Sequence, residues 1–271
     1  MPELPEVETT RRGIAPHIEG QRIDRVVIRQ PRLRWPIPGT LPQLLKGRKL
    51  LSVSRRGKYL LLALHNGTLI MHLGMSGSLR IVNAGTAAQK HDHFDLQFGN
   101  GSLLRLRDPR RFGAVLWTDQ PEMTHPLLAG LGPEPLGEVF DGDYLHARGK
   151  NRRTTIKQLI MDSKTVVGVG NIYACESLFR AAIHPSRPSN RISIQRYRRL
   201  AEEIRKVLTE AIAQGGTTLR DFLNEDGKPG YFVQSLRVYG RDGEPCPDCG
   251  NPIRSKTIAQ RSSFYCPLCQ R

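Results

Sequence analysis

The sequence predicts an α+β chain of two domains. An N-terminal β-sandwich or flattened barrel stands behind a leading helix, and a helical C-terminal half closes in a compact cysteine-rich unit. Three observations carry this. Apolar and alternating runs divided by turn pairs fill the first 118 residues, helical periodicity appears beyond residue 150, and four of the five cysteines lie in the last 26 residues.

The leading helix is marked by Pro5, which suits a first helical turn, and by the acids around it in MPELPEVE. Strands are expected from IDRVVIRQ, KLLSVSRRGKYLLLAL, GTLIMHLGMSGSLRIV, HFDLQF and GSLLRLRDPRRFGAVLWTD. Asn66-Gly67 and Asn100-Gly101 are hairpin turn pairs and suggest a meander. TDQPEMTHPLLAGLGPEPLGEVFDG, with four prolines and four glycines, reads as a connector, placing a domain boundary near 130–145. Helices are expected over 154–162, 171–182 and 194–214. In the last, Leu200, Ile204, Val207, Leu208, Ala211 and Ile212 repeat at helical spacing.

Charge narrows the partner. The chain of 271 residues carries 41 Lys and Arg against 25 Asp and Glu, a net charge of +16. Residues 1–118 and 144–271 are each net +11, while residues 119–143 hold six acids and no Lys or Arg. Two basic blocks around an acidic stretch favour a polyanion, nucleic acid before an anionic membrane. No amphipathic basic helix with an aromatic face supports membrane binding. The longest apolar run, YLLLAL, falls far short of the ~20 residues of a spanning helix. The acidic, proline-rich start is unlike a signal peptide, so a cytoplasmic protein is expected.

The tail CPDCGNPIRSKTIAQRSSFYCPLC pairs Cys246 and Cys249 with Cys266 and Cys269 across 16 residues. Each C-x2-C turn aims two thiolates at one point, and two turns complete a tetrahedron around zinc. Four thiolates leave no open position for a catalytic water, so one structural zinc ion is expected. Arg254, Lys256 and Arg261 lie between the ligand pairs, where they can grip phosphate.

Other motifs give less. GVGNIY begins like a dinucleotide fingerprint but has Tyr173 where the third glycine belongs. It reads better as a glycine turn opening a helix at Asn171, with backbone N–H groups for a phosphate, and no nucleotide cofactor is expected. GMSGS is no nucleophile elbow. HDH places His91 and His93 on one strand face without a third ligand, so phosphate contact or packing near the surface is preferred to a metal site.

The N-terminus offers chemistry. Methionine before a small residue is commonly removed, leaving Pro2 with a secondary amine. An α-amino group titrates near ~7.8, against ~10.4 for lysine, so far more of it is neutral and nucleophilic near neutral pH. Glu3 could serve as general acid or base, and Glu6 could cap the helix or position the amine. A helix leader without chemistry is the plain alternative. Met75 and Phe112 read from the residues alone as hairpin core.

PELPEVE, HLGMSG, DPRRFG, VGVGNIY, GGTTLRDF, DGKPGYF, VYGR and the four-cysteine tail occur in this order. Together they make the chain resemble the bacterial formamidopyrimidine-DNA glycosylases over its whole length. The resemblance implies a β-sandwich catalytic domain over 1–130, a linker over 131–145, a helix–two-turns–helix domain over 146–235 and a zinc ribbon over 236–271. It implies a monomeric enzyme of base excision repair acting on damaged double-stranded DNA. Such an enzyme excises oxidised purines through a Schiff base on Pro2, assisted by Glu3, then cleaves the strand by β,δ-elimination. By residue, it implies proton transfer at Lys58, δ-elimination and phosphate grip at Arg261, and phosphate contacts at Asn171, Tyr239 and His72. Met75, Arg110 and Phe112 would fill the vacated stack and probe the opposite base. His91 and Arg153 would contact DNA, and residues 214–231 would cover the flipped base. An endonuclease VIII-like enzyme would carry glycine where PELPE has Leu4 and would lack the full Met75, Arg110 and Phe112 set. A non-catalytic DNA-binding protein would not need Pro2, Glu3, Lys58 and Arg261 together.

Overall fold

A computed structural model of the chain describes residues 2–216 and 235–271. These fall into two compact units, residues 2–129 with 214–216, and residues 130–213 with 235–271.

The first unit opens with α1 (Leu4–Ile18), which is capped reciprocally. The Glu3 carboxylate accepts the Glu6 N–H, and Glu6 accepts the Glu3 N–H at 2.8 Å. Strand β1 (Ile23–Ile28) and the short helix α2 (Leu41–Leu45) follow. Then come β2 (Leu50–Arg56), β3 (Tyr59–Leu64), β4 (Gly67–His72), β5 (Ser78–Asn83), β6 (Asp92–Phe98), β7 (Ser102–Arg107) and β8 (Ala114–Thr118). They build two antiparallel four-stranded sheets, β1-β6-β7-β5 and β2-β3-β4-β8.

The period of two in the sequence decides which faces meet. Leu60, Leu62 and Leu64 of β3 join Leu69 and Met71 of β4 in one core with Phe94, Leu96 and Phe98 of β6 and Leu104 and Leu106 of β7. Val7, Ile14 and Ile18 of α1 add to it. Two separate sheets around this core make a sandwich, not a barrel.

Two expected strands are each broken where the chain changes sheet. GTLIMHLGMSGSLRIV divides into β4 and β5, and GSLLRLRDPRRFGAVLWTD into β7 and β8. The meander holds through β2-β3-β4 and β6-β7 and fails at these crossings. The cause is a close backbone approach. Gly74 has φ +66°, and a Cβ on it would collide with the Phe112 carbonyl carbon and come 2.5 Å from the Gly113 nitrogen. Turn 73–77 therefore packs directly on turn 108–113.

The acidic connector holds more helix than its proline and glycine content suggests. Helix α3 (Pro126–Ala129) lies within it, and α4 (Gly142–Gly149) starts at Asp141, whose carboxylate accepts the Tyr144 N–H at 2.7 Å. In the second unit α5 (Ile156–Met161), α6 (Asn171–Arg180) and α7 (Ile194–Ala213) end within two residues of the three expected helices. Leu200, Ile204, Val207, Leu208 and Ala211 form the buried face of α7. Thr155 and Gln158 form a capping box at the start of α5. The tail folds as a hairpin of β9 (Arg254–Ile258) and β10 (Arg261–Tyr265). No helix among the described residues is long and apolar enough to cross a membrane.

Candidate functional site

Pro2 and Glu3 are buried at the head of α1, with Glu3 only 2% exposed. Glu3 is the N-cap and Glu6 its capping partner, so both carboxylates are fixed by the helix start itself. Gly216 approaches from the far end of the unit. A Cβ there would come 3.0 Å from Glu6 Oε1, and its φ of +80° suits glycine. The covering loop expected over 214–231 lies, beyond residue 216, outside the described residues.

Lys58 occupies the two-residue turn between β2 and β3, after Gly57 at φ +58°. A chain of ions ties this turn to α1. Glu8 accepts from Arg11, Arg12 and Arg55 at 2.8–3.1 Å, and Arg55 also donates to the Gly57 carbonyl at 2.9 Å. Burial pushes the Glu8 carboxyl up, but the hydrogen bonds from Arg11, Arg12 and Arg55 outweigh it and hold the pKa at about 2.

His72 lies opposite Tyr59 across β3 and β4, with ring centroids 4.8 Å apart. Its Nδ1 accepts the Gly74 N–H at 2.9 Å, which leaves the proton of the neutral ring on Nε2. Burial, then the charges of Lys58 and Arg34, lower its pKa to about 4. His72 is thus a neutral donor near pH 7, in a place where the net field is positive.

Met75, Arg110 and Phe112 come together on the two crossing turns. Met75 is 37% and Phe112 44% exposed, which rules out the hairpin-core reading. The Arg110 guanidinium lies 5.2 Å from the Phe112 ring centroid. His91 corrects a sequence expectation. It precedes β6 in a left-handed conformation, φ +78°, so it does not share a strand face with His93.

In the second unit α6 opens at Asn171 behind Gly170, as the glycine-turn reading expects. Asn171 Nδ2 donates to the Ser262 carbonyl at 2.9 Å, and Lys157 Nζ donates to the same carbonyl at 3.2 Å and to Ser263 Oγ at 2.5 Å. These bonds seat the strand that begins with exposed Arg261. Ile258 pairs with Arg261 across Ala259 and Gln260, both left-handed at φ 47° and 61°, a turn conformation that usually takes glycine. A cavity of about 200 Å³ lies beneath, lined by Lys157, Met161, Ile258 and Arg261 among others. Tyr239 packs edge-on against Phe264, and its N–H, with those of Arg237 and Val238, is accepted by the buried Glu176 carboxylate at 2.8–3.0 Å. Burial pushes Glu176 up, against the pull of those three donors. Arg153 is exposed in the turn before α5.

The four tail cysteines bring their sulfurs within 4.8 Å of one another. Cys246 and Cys269 are 3.9 Å apart, and Cys249 and Cys266 3.5 Å. A tetrahedron of Zn–S bonds of about 2.3 Å has edges of about 3.8 Å, so the donor set fits zinc.

Reasoning on residues alone missed the supports Glu8, Arg55, Lys157 and Glu176. Each acts through a backbone group or another side chain, which motif spacing does not reveal. Glu176 alone had a signal, an acid inside the apolar run of α6.

Comparison with known proteins closes the question of kinship. Family models match at residues 1–115 for the formamidopyrimidine-DNA glycosylase N-terminal domain, at 131–223 for its H2TH domain, and at 243–271 for the zinc finger found in FPG and IleRS. The chain belongs to the formamidopyrimidine-DNA glycosylase family. The glycosylase of Methylococcus capsulatus is 62% identical over the full length of both chains, and that of Stutzerimonas stutzeri 59%. The crystal structure of the Fpg protein from Thermus thermophilus superposes with a TM-score of 0.89 at 41% identity, covering 99% of this chain and 98% of that one. A mutant Lactococcus lactis Fpg, solved with Fapy-dG-containing DNA, superposes at 0.92 with 34% identity over the whole of both chains. Within this family the tail is a zinc finger, and Cys246, Cys249, Cys266 and Cys269 are the four donors placed to hold its zinc.

Proposed function

We propose that this member of the glycosylase family is a bifunctional DNA glycosylase and AP lyase that excises oxidised purines from double-stranded DNA. The observation that carries the reading is the head of α1. There Pro2 and Glu3 are buried rather than frayed, with the Glu3 carboxylate fixed beside the Pro2 chain end by its reciprocal cap with Glu6.

With Met1 removed, the Pro2 nitrogen is a secondary amine beside the positive end of the α1 dipole, which favours its neutral form. Its lone pair attacks C1′ of a nucleotide swung out of the duplex, and the C1′–N bond to the damaged base breaks. Glu3 supplies a proton as the sugar ring opens, and the base leaves carrying the bond pair. The iminium between Pro2 and C1′ draws electrons, so a proton lost from C2′ lets the 3′ phosphate depart. A second elimination releases the 5′ phosphate and leaves a one-nucleotide gap. Because Pro2 is a secondary amine, its iminium has no N–H proton to lose and cannot relax to a neutral imine, so the electron sink persists until C2′ gives up its proton. Lys58 carries the proton of the first elimination, and Arg261, always charged, serves the second by gripping the phosphate.

Neutral His72, Asn171, Tyr239, His91 and Arg153 hold the backbone phosphates, and Met75, Phe112 and Arg110 enter the gap left by the flipped nucleotide. Lactococcus lactis Fpg has been solved with DNA containing an abasic site, at a TM-score of 0.91 to this chain, which supports a damaged-duplex substrate here. In this reading residues 1–130 form the catalytic domain, 131–145 the linker, 146–235 the helical DNA-binding domain and 236–271 the ribbon. The enzyme acts as a cytoplasmic monomer and needs no nucleotide cofactor. Paired cleavage assays test it. Duplexes carrying 8-oxoguanine or formamidopyrimidine should be cut far faster than one carrying thymine glycol, and the reverse preference would sink the purine assignment.

A further inference from the structure

The Asp108 carboxylate is fully buried beneath the exposed Met75, Arg110 and Phe112. Its Oδ1 accepts the Ser76 hydroxyl at 3.1 Å, and its Oδ2 accepts the Gly113 N–H at 2.7 Å. Ser76 Oγ in turn accepts the Arg110 N–H at 3.3 Å. The backbone of Asp108 reaches a third loop, since its N–H donates to the His91 carbonyl at 3.0 Å and its carbonyl accepts His93 Nε2 at 3.0 Å. One residue thus holds the turn bearing Met75, the turn bearing Arg110 and Phe112, and the segment bearing His91.

Two further facts show that these bonds work against strain. His91 and Arg111 are left-handed non-glycine residues, at φ 78° and 54°. Such conformations persist where the surroundings over-determine them. Gly113 has no room for a side chain, because a Cβ would come 2.8 Å from the His72 carbonyl oxygen and 2.9 Å from Asp108 Oδ2. With Oδ1 on Ser76 and Oδ2 on Gly113, each oxygen of this buried carboxylate fixes a different turn, and removing it leaves both donors without their acceptor.

We infer that Asp108 is the positioning residue for opposite-base discrimination, locking Met75, Arg110 and Phe112 into one frame so that the Arg110 guanidinium meets the orphaned base in a fixed register. The inference rests on the proposed role of those three side chains. Asp108 touches no reacting atom. It acts through the Arg110 and Gly113 backbone, and Ser76 is its relay.

The test measures kcat/KM on 8-oxoguanine duplexes opposed by cytosine or by adenine, for the wild type, Asp108→Ala and the milder Ser76→Ala. Cleavage of a preformed abasic site and Tm are followed alongside. The ratio between the two duplexes should fall by about tenfold in Asp108→Ala, the worth of one lost bidentate contact. Ser76→Ala should fall in the same direction by less, with abasic-site cleavage retained in both. Wild-type ratios in both variants would overturn the inference. So would a parallel loss on both duplexes that tracks Tm, because a merely structural role predicts that pattern. A wild type that cuts both duplexes equally would overturn it too. A wild type that cuts neither oxidised duplex nor abasic site would instead defeat the parent reading of the enzyme.

Discussion

At the scale of single residues, the surroundings set protonation. His72 shows this most clearly. Its ordinary pKa of 6.5 drops to about 4 because burial and the nearby Lys58 and Arg34 charges oppose a cation. Between those values the unfolded chain takes up a proton that the folded chain refuses, so stability falls as pH drops from 6.5 towards 4. His72→Asn removes that part of the dependence. Trp35 and Trp117 both lie in the first unit, so tryptophan fluorescence reports its melting alone. The wild type should lose more Tm between about pH 7 and about pH 5 than His72→Asn does, and equal losses would refute the account of His72. Glu8 differs in that its three arginine partners favour the charged form, lowering its pKa from 4.5 to about 2, so its share of stability is lost only as pH falls through that lower window. The residues of the head of α1 were legible in the sequence because Pro2, Glu3 and Pro5 lie within one four-residue stretch. Glu8 and Arg55 were not, because 47 positions separate them and only the fold makes them partners.

At the scale of elements, what the sequence showed depended on what sets each boundary. Helices α5, α6 and α7 are limited by caps and local periodicity, and their ends were readable to within two residues. The breaks between β4 and β5 and between β7 and β8 come from contact between two distant turns, which no window of sequence contains. The same crossing brings Met75 and Phe112 to the surface, which is why residue patterns alone assigned them to the core. The zinc ribbon lies at the other extreme. Its ligand spacing is local, its two strands are short, and Cys246, Cys266 and Ile253 form only a small core with Val238, Cys175 and Phe179. Zinc supplies on the order of 10 kcal/mol to such an element. Stripping it with a chelator should abolish DNA incision while the melting of Trp35 and Trp117 stays within a few degrees of the untreated protein. Incision that survives complete zinc loss would show that the ribbon is dispensable.

At the scale of the whole molecule, charge is the dominant property. The two basic blocks flanking an acidic connector were plain in the sequence and pointed to a polyanion before any motif did. With on the order of six phosphate contacts, log affinity for duplex DNA should fall against log salt with a slope near about −5, and a flat dependence would contradict a phosphate-gripping surface. Charge alone names no chemistry, though. That came from the ordered motifs, and the fold then placed Pro2 and Glu3 at a capped helix head and Lys58 on a turn braced to the same helix. The central claim is that Pro2 forms the covalent bond to DNA. Borohydride trapping of the Met1-processed, zinc-loaded enzyme on 8-oxoguanine duplex tests it most directly. The account predicts a covalent adduct with the wild type and its near-complete loss in Pro2→Gly, whereas an adduct of undiminished yield in Pro2→Gly, or none with the wild type, would contradict it.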